Sequence, residues 1–144
     1  MKARILIVED DPFFADVLAR ALGLEGYDVT VANSAGEGVR LGRACRPALV
    51  IAAWWLRHDM HGGEVCRRIL AAWPGTKIIV TTGHHEFAAR AQQYCDGVAA
   101  VLLKPFHKEE ILRAVRQALI GAAAVLPTLH PLADFRHMAL DSVS

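Results

Sequence analysis

Arg4-Ile5-Leu6-Ile7-Val8-Glu9-Asp10-Asp11-Pro12 passes from an apolar run through three acids to a proline within nine residues. A short β-branched run bounded by charge reads as a strand buried on both faces. The acids mark where that strand leaves the core. Asp11 is a capping residue type, and Pro12 suits a first helical position, where its missing N–H would have no partner. Phe14, Val17, Leu18, Ala21 and Leu22 then recur at helical spacing and make one apolar face. Gly23 and Gly26 read as the end of that helix.

The rest of the chain repeats this unit. Asp28 to Ala32 reads as a second strand, and Asn33 or Ser34 caps a helix to about Ala44 that Gly36, Gly38 and Gly42 weaken. After Pro47, Ala48 to Ala53 is a third strand. Trp54 to Gly63 is a loop, and Glu64 to Trp73 is a helix with Val65, Ile69, Leu70 and Trp73 inward. Lys77 to Thr81, Phe87 to Tyr94, Ala99 to Leu103 and Lys108 to Ile120 continue as strand, helix, strand, helix, the last with Ile111, Leu112, Val115, Ala118 and Leu119 on one stripe. Strands without period-two alternation belong to a parallel sheet covered on both faces. The expected fold is α/β: a five-stranded parallel sheet, doubly wound and flavodoxin-like, with function in the loops after the strands. Residues 1–121 form the expected domain. Residues 122–144 read as a tail interrupted by Pro127 and Pro131, with one short helix over Pro131 to Leu140 and no output domain.

Composition fits one domain and narrows the function. Of 144 residues, 53% are hydrophobic and 22% charged, which excludes disordered and collagen-like chains. A net charge of +1 leaves no general field for nucleic acid. No helix-turn-helix segment is read after residue 121. No apolar run reaches the roughly 18 residues of a membrane span, and no signal peptide is read at the start. Cys45, Cys66 and Cys95 are odd in number and lack CxxC spacing; they read as small buried hydrophobes of a reduced, cytoplasmic protein.

Three sets of polar residues follow strands: Glu9-Asp10-Asp11 after the first, Thr81-Thr82 after the fourth, Lys104-Pro105-Phe106 after the fifth. The topology brings them to one rim. Adjacent carboxylates there need a cation between them, and hard oxygens suit Mg²⁺. A hydroxyl and an ammonium opposite would hold phosphoryl oxygens. The Lys104–Pro105 bond is open to either isomer.

Ile5 to Asp11, Thr82-Gly83 and Lys104-Pro105-Phe106, taken in order, resemble the receiver domain of two-component response regulators, over roughly residues 3–120. The resemblance implies the receiver-type (βα)5 fold. It implies that Glu9 and Asp10 hold Mg²⁺ and that Thr82 and Lys104 bind phosphoryl oxygens. It further implies an aspartate at the end of the third strand that accepts phosphate from a histidine kinase. Met60-His61-Gly62-Gly63-Glu64 resembles the family's loop-to-helix segment and sets the register, which puts Ala53 at the acceptor position. A methyl group neither attacks phosphorus nor ligates a metal. The family's switch aromatic, three residues before the lysine, falls on Val101.

The expectation is therefore an atypical receiver that binds another protein, a histidine kinase or another regulator, without phosphorylation and without catalysing a reaction. Its Mg²⁺ site is weakened to two carboxylates. Lys104 turns to Asp10 or Glu9 as an ion pair contributing about 0–1 kcal/mol. The face of the fourth helix, fifth strand and fifth helix is the expected homodimer surface, and Trp55, Tyr94 and Phe106 are candidate partner contacts. The rival readings are an ordinary regulator using another acceptor, with Asp59 as the candidate, and a flavodoxin-like small-ligand protein. Against the latter, the acids after the first strand would repel a phosphate. His58, His61, His84, His85 and His107 crowd the same rim; they read as solvated rather than as a transition-metal site, because no ligand spacing matches one.

Overall fold

The apolar runs form a parallel sheet in the order β2-β1-β3-β4-β5, seen in a computed structural model that describes residues 2–57, 60–94 and 97–120. Its elements are β1 (Arg4–Val8), α1 (Pro12–Leu24), β2 (Asp28–Ala32), α2 (Ala35–Cys45), β3 (Leu49–Ala53), α3 (Gly62–Ala72), β4 (Lys77–Thr82), α4 (His85–Tyr94), β5 (Val98–Leu103) and α5 (Lys108–Ile120). Every strand pairing is parallel.

Alternate residues of each strand serve opposite faces, as the pleat requires. Ile5, Ile7 and Ile51 pack under α1 and α5 with Phe14, Leu18, Ile111 and Val115. Leu6, Val8, Val50 and Ala52 pack under α2, α3 and α4 with Val39, Val65, Ile69 and Ala91. Such a sheet, with two helices on one side and three on the other, explains why the strands read as unbroken apolar runs. The strand order reverses at β1, which places the switch point, the usual ligand position in doubly wound sheets, at the carboxyl ends of β1 and β3.

Local details depart from the sequence reading. Gly23 lies inside α1, which runs on to Leu24; the N–H groups of Glu25 and Gly26 close the turn on the Leu22 and Gly23 carbonyls, with Gly26 at φ 96°. Ser34 is the cap of α2, its hydroxyl accepting from the Glu37 N–H. Helix α3 starts at Gly62 rather than Glu64 because His61 caps it. Helix α4 starts at His85 rather than Phe87, its first turn closing as the Phe87 N–H reaches the His84 carbonyl. Leu70 and Trp73, read as inward, are half-buried at the edge of the core. Gly62 is fixed by space: a Cβ there would collide with the Ala53 carbonyl oxygen. Cys45 is half-buried and Cys66 is buried. The expectations for His58, Asp59, Cys95 and 122–144 concern residues outside those described.

Candidate functional site

The parallel register assembles the site. Val8 pairs with Ala52 and Ala53 with Thr81, so Glu9 and Ala53 leave the sheet side by side. Thr82 pairs with Leu103, which brings Lys104 to the same rim. Two backbone bonds fix the strand ends there, from the Trp54 N–H to the Thr81 carbonyl (2.8 Å) and from the Lys104 N–H to the Thr82 carbonyl (2.7 Å). The Lys104–Pro105 bond is cis.

Each acid of the pair has a cation of the chain's own. The Glu9 side chain, 4% exposed, accepts from Lys104 Nζ at 2.8 Å on Oε1 and from the Asp11 N–H at 3.1 Å on Oε2. Burial pushes the Glu9 carboxyl above its ordinary pKa, with Lys104 working against that rise. The ammonium also sits 4.5 Å from the centre of the Phe14 ring. Asp10 Oδ2 accepts from the Arg57 backbone N–H (3.1 Å) and forms an ion pair with the Arg57 guanidinium, whose Nε lies 3.2 Å away. Asp11 caps α1, its Oδ1 accepting from the N–H groups of Phe13 and Phe14.

Ala53 is 3% exposed and ends β3 with a methyl group. Thr82 is buried, and its hydroxyl accepts from the His84 N–H at 3.2 Å, which turns the chain into α4. Val101 is fully buried beside Val80 in β5. Glu9 and Asp10 are the oxygens that the sequence marks for Mg²⁺, but this donor set does not fit it. A hard cation that dehydrates reluctantly needs anionic oxygens with charge to spare. Here both acids are already countered by cations, and the Ala53 side chain at the neighbouring strand end is a methyl group.

Of the candidate partner contacts, Trp55 stands out in solvent, 64% exposed and stacked on Phe87 with ring centres 6.1 Å apart. Phe106 does not; it is 2% exposed and meets Phe14 edge-on, because the chain after Pro105 turns back onto the α1–α5 side of the sheet. Tyr94 is half-buried and committed elsewhere. Its hydroxyl donates to Glu64 Oε1 at 3.0 Å and accepts from Arg67 at 3.2 Å, tying α4 to α3. Those donors hold the Glu64 carboxyl below its usual range, with Arg68 the largest cause and Tyr94 next.

Two of the rim histidines, His61 and His84, have different surroundings. His61 stacks on Trp54 (4.4 Å, 19°), meets Tyr94 edge-on and caps α3, its Nδ1 accepting from the Glu64 N–H at 3.3 Å. His84 lies 3.6 Å from Glu86. Among the described residues, no three His, Cys, Asp or Glu side chains gather as a metal-holding group. Desolvation holds the His61 pKa below its ordinary value, with Glu64 opposing. A histidine so depressed contributes stability above its unfolded value of about 6.5 and loses it as pH falls through the folded value. Protonated Nδ1 no longer accepts, so the cap, worth about 1 kcal/mol, goes with it. His61→Asn keeps an acceptor that does not titrate. Urea melts between pH 7 and 5 should show a shallower loss of stability in this variant than in the wild type, though the variant is weaker throughout for want of the Trp54 stack.

A family model described as the response regulator receiver domain matches residues 5–116. Transcriptional regulatory protein GlrR of Escherichia coli (strain K12) is 34% identical over 122 residues, which cover 84% of this chain and 27% of GlrR. DNA-binding response regulator MtrA of Mycolicibacterium smegmatis is 33% identical over 119 residues, 83% of this chain and 51% of MtrA. The chain thus spans about a quarter to a half of the length of these curated relatives. A CheY-like response regulator receiver domain protein from Methanospirillum hungatei JF-1 superposes with a TM-score of 0.74 at 30% identity, covering 83% of this chain and 95% of that one. NtrX from Brucella abortus gives 0.76 at 26% identity, covering 83% of this chain and 27% of NtrX.

Proposed function

Because the chain belongs to the response regulator receiver domain family, we propose that it acts in two-component signalling as an atypical receiver, one that binds a protein partner without first accepting a phosphoryl group. The observation that carries this reading is the Ala53 methyl group at the end of β3, beside Glu9, where a carboxylate nucleophile would have to stand. The reading is consistent with Val101 in the switch position, since a buried aliphatic side chain has no ring to swing between solvent and core. The partner is a histidine kinase or another regulator. Trp55 is the anchor offered to it, a large rigid ring already exposed and backed by Phe87. The face of α4, β5 and α5 is the surface for a second copy. The chain works in the cytoplasm and turns over no substrate. Among the described residues, no helix is long and apolar enough to cross a membrane.

Incubation with acetyl phosphate and Mg²⁺, followed by intact-mass measurement, tests this. The wild type should gain no phosphoryl group, and its binding to a purified histidine kinase should be unchanged by the treatment and weakened at least about tenfold, or 1.4 kcal/mol, by Trp55→Ala. Stoichiometric labelling of a wild-type carboxylate, at Asp59 or elsewhere, would overturn the reading.

A further inference from the structure

Arg57 follows β3 by four residues and has no place in the apolar pattern around it. Its side chain is 68% exposed, yet its backbone N–H donates to Oδ2 of Asp10 and its Nε lies 3.2 Å from the same oxygen as an ion pair; the Asp10 side chain is 17% exposed. Lys104 in turn holds Glu9 by its ammonium, which donates to Oε1 at 2.8 Å. Two adjacent carboxylates are thus matched by two cations from two different loops. Adjacent acids at a strand end repel each other unless positive charge stands close by. Where a divalent ion usually supplies that charge, it does so with its own two positive charges and a shell of water.

We propose that Arg57 is a built-in counter-cation, which holds Asp10 in place of a divalent ion and clasps the loop after β3 to the loop after β1. The crevice is then neutral and assembled without metal. The clasp has a direction: Arg57 reaches from the segment that carries Trp55, so the charge on Asp10 positions the loop presenting the exposed ring. A partner meets this rim in one arrangement whatever the cellular Mg²⁺ level. The inference rests on the crevice being the functional site named above, but not on the identity of the partner.

Mg²⁺ alone is the probe, titrated at constant ionic strength and read by tryptophan fluorescence and thermal midpoint. Trp54 and Trp55 lie three and two residues from Arg57 and report on its loop. The wild type should show no saturable response at millimolar Mg²⁺. Arg57→Ala keeps the backbone N–H bond to Asp10 and removes only an exposed side chain, so the fold should survive, as circular dichroism will show. It should bind Mg²⁺ at least about tenfold more tightly than the wild type, about 1.4 kcal/mol. Arg57→Lys, which restores the charge, should return to the wild-type response. Equal Mg²⁺ affinity in wild type and Arg57→Ala, or an Arg57→Lys protein that behaves like Arg57→Ala, would overturn the proposal. Phosphoryl labelling of the wild type would defeat the proposed function while leaving this titration to be judged separately.

Discussion

Ala53→Asp is expected to turn a chain that gains no phosphoryl group from acetyl phosphate into one that carries it stoichiometrically at that residue. The gain reads as an intact-mass shift that hydroxylamine removes. The warrant is positional. Parallel pairing puts residue 53 beside Glu9 and opposite Thr81, and Lys104 stands at the same rim, 2.8 Å from Glu9. A carboxylate oxygen there is a competent nucleophile, and acetate is the leaving group. The same substitution upsets the charge balance. Two acids matched by Lys104 and Arg57 become three, and the third is introduced at a site only 3% exposed. Without a further cation the variant should lose about 1–3 kcal/mol of stability, the cost of a buried charge left short of partners. Mg²⁺ should restore it, by about 2.7 kcal/mol at a concentration one hundred times its dissociation constant. The wild type should show no such restoration. Adding Arg57→Ala to Ala53→Asp should speed the labelling further. A folded Ala53→Asp protein that takes no label would mean that the rim had diverged beyond its nucleophile.

The fold was readable because its elements carry strong local signals. The bounds of β1, β2 and α5 coincide with the sequence reading, since each is an apolar run or stripe closed by charge, glycine or a cap. The rim was readable too, because the strand ends converge by topology alone. What the sequence could not convey is where a single side chain goes once the backbone path is settled. Phe106 looked like a loop aromatic; it is core, because the chain turns back toward Phe14. Tyr94 looked like a surface ring, but Glu64 and Arg67 sit across from it on α3. Arg57 gave no signal at all. One arginine in a loop has no periodicity, and its partner is 47 residues away. His61 reads in the sequence as one of the rim histidines, although its place immediately before Gly62-Gly63-Glu64 is where a helix cap stands.

Lys104→Met should cost about 1–3 kcal/mol of stability at neutral pH, and the cost should shrink as the solution is acidified. Methionine keeps most of the apolar stem over Phe14 and removes the charge. Glu9, with 4% of its side chain exposed, is then left with the Asp11 N–H and no cation. Leaving a buried charge unpaired is the expensive way to break an ion pair. The sign follows from the two pKa values of Glu9. Burial already holds its folded value above the unfolded one of about 4.3. Removing Lys104 removes the main opposing influence, so the folded value in the variant rises further. Stability falls with rising pH wherever the folded state binds more protons than the unfolded state. The deficit relative to the wild type therefore opens above the wild-type folded pKa of Glu9 and levels off above the higher value of the variant. Below both, Glu9 is neutral in either protein and the deficit nearly vanishes. Urea denaturation of the two proteins across pH 4 to 8 measures this directly. A deficit of the same size at both ends would mean that Lys104 acts through packing rather than through its charge on Glu9.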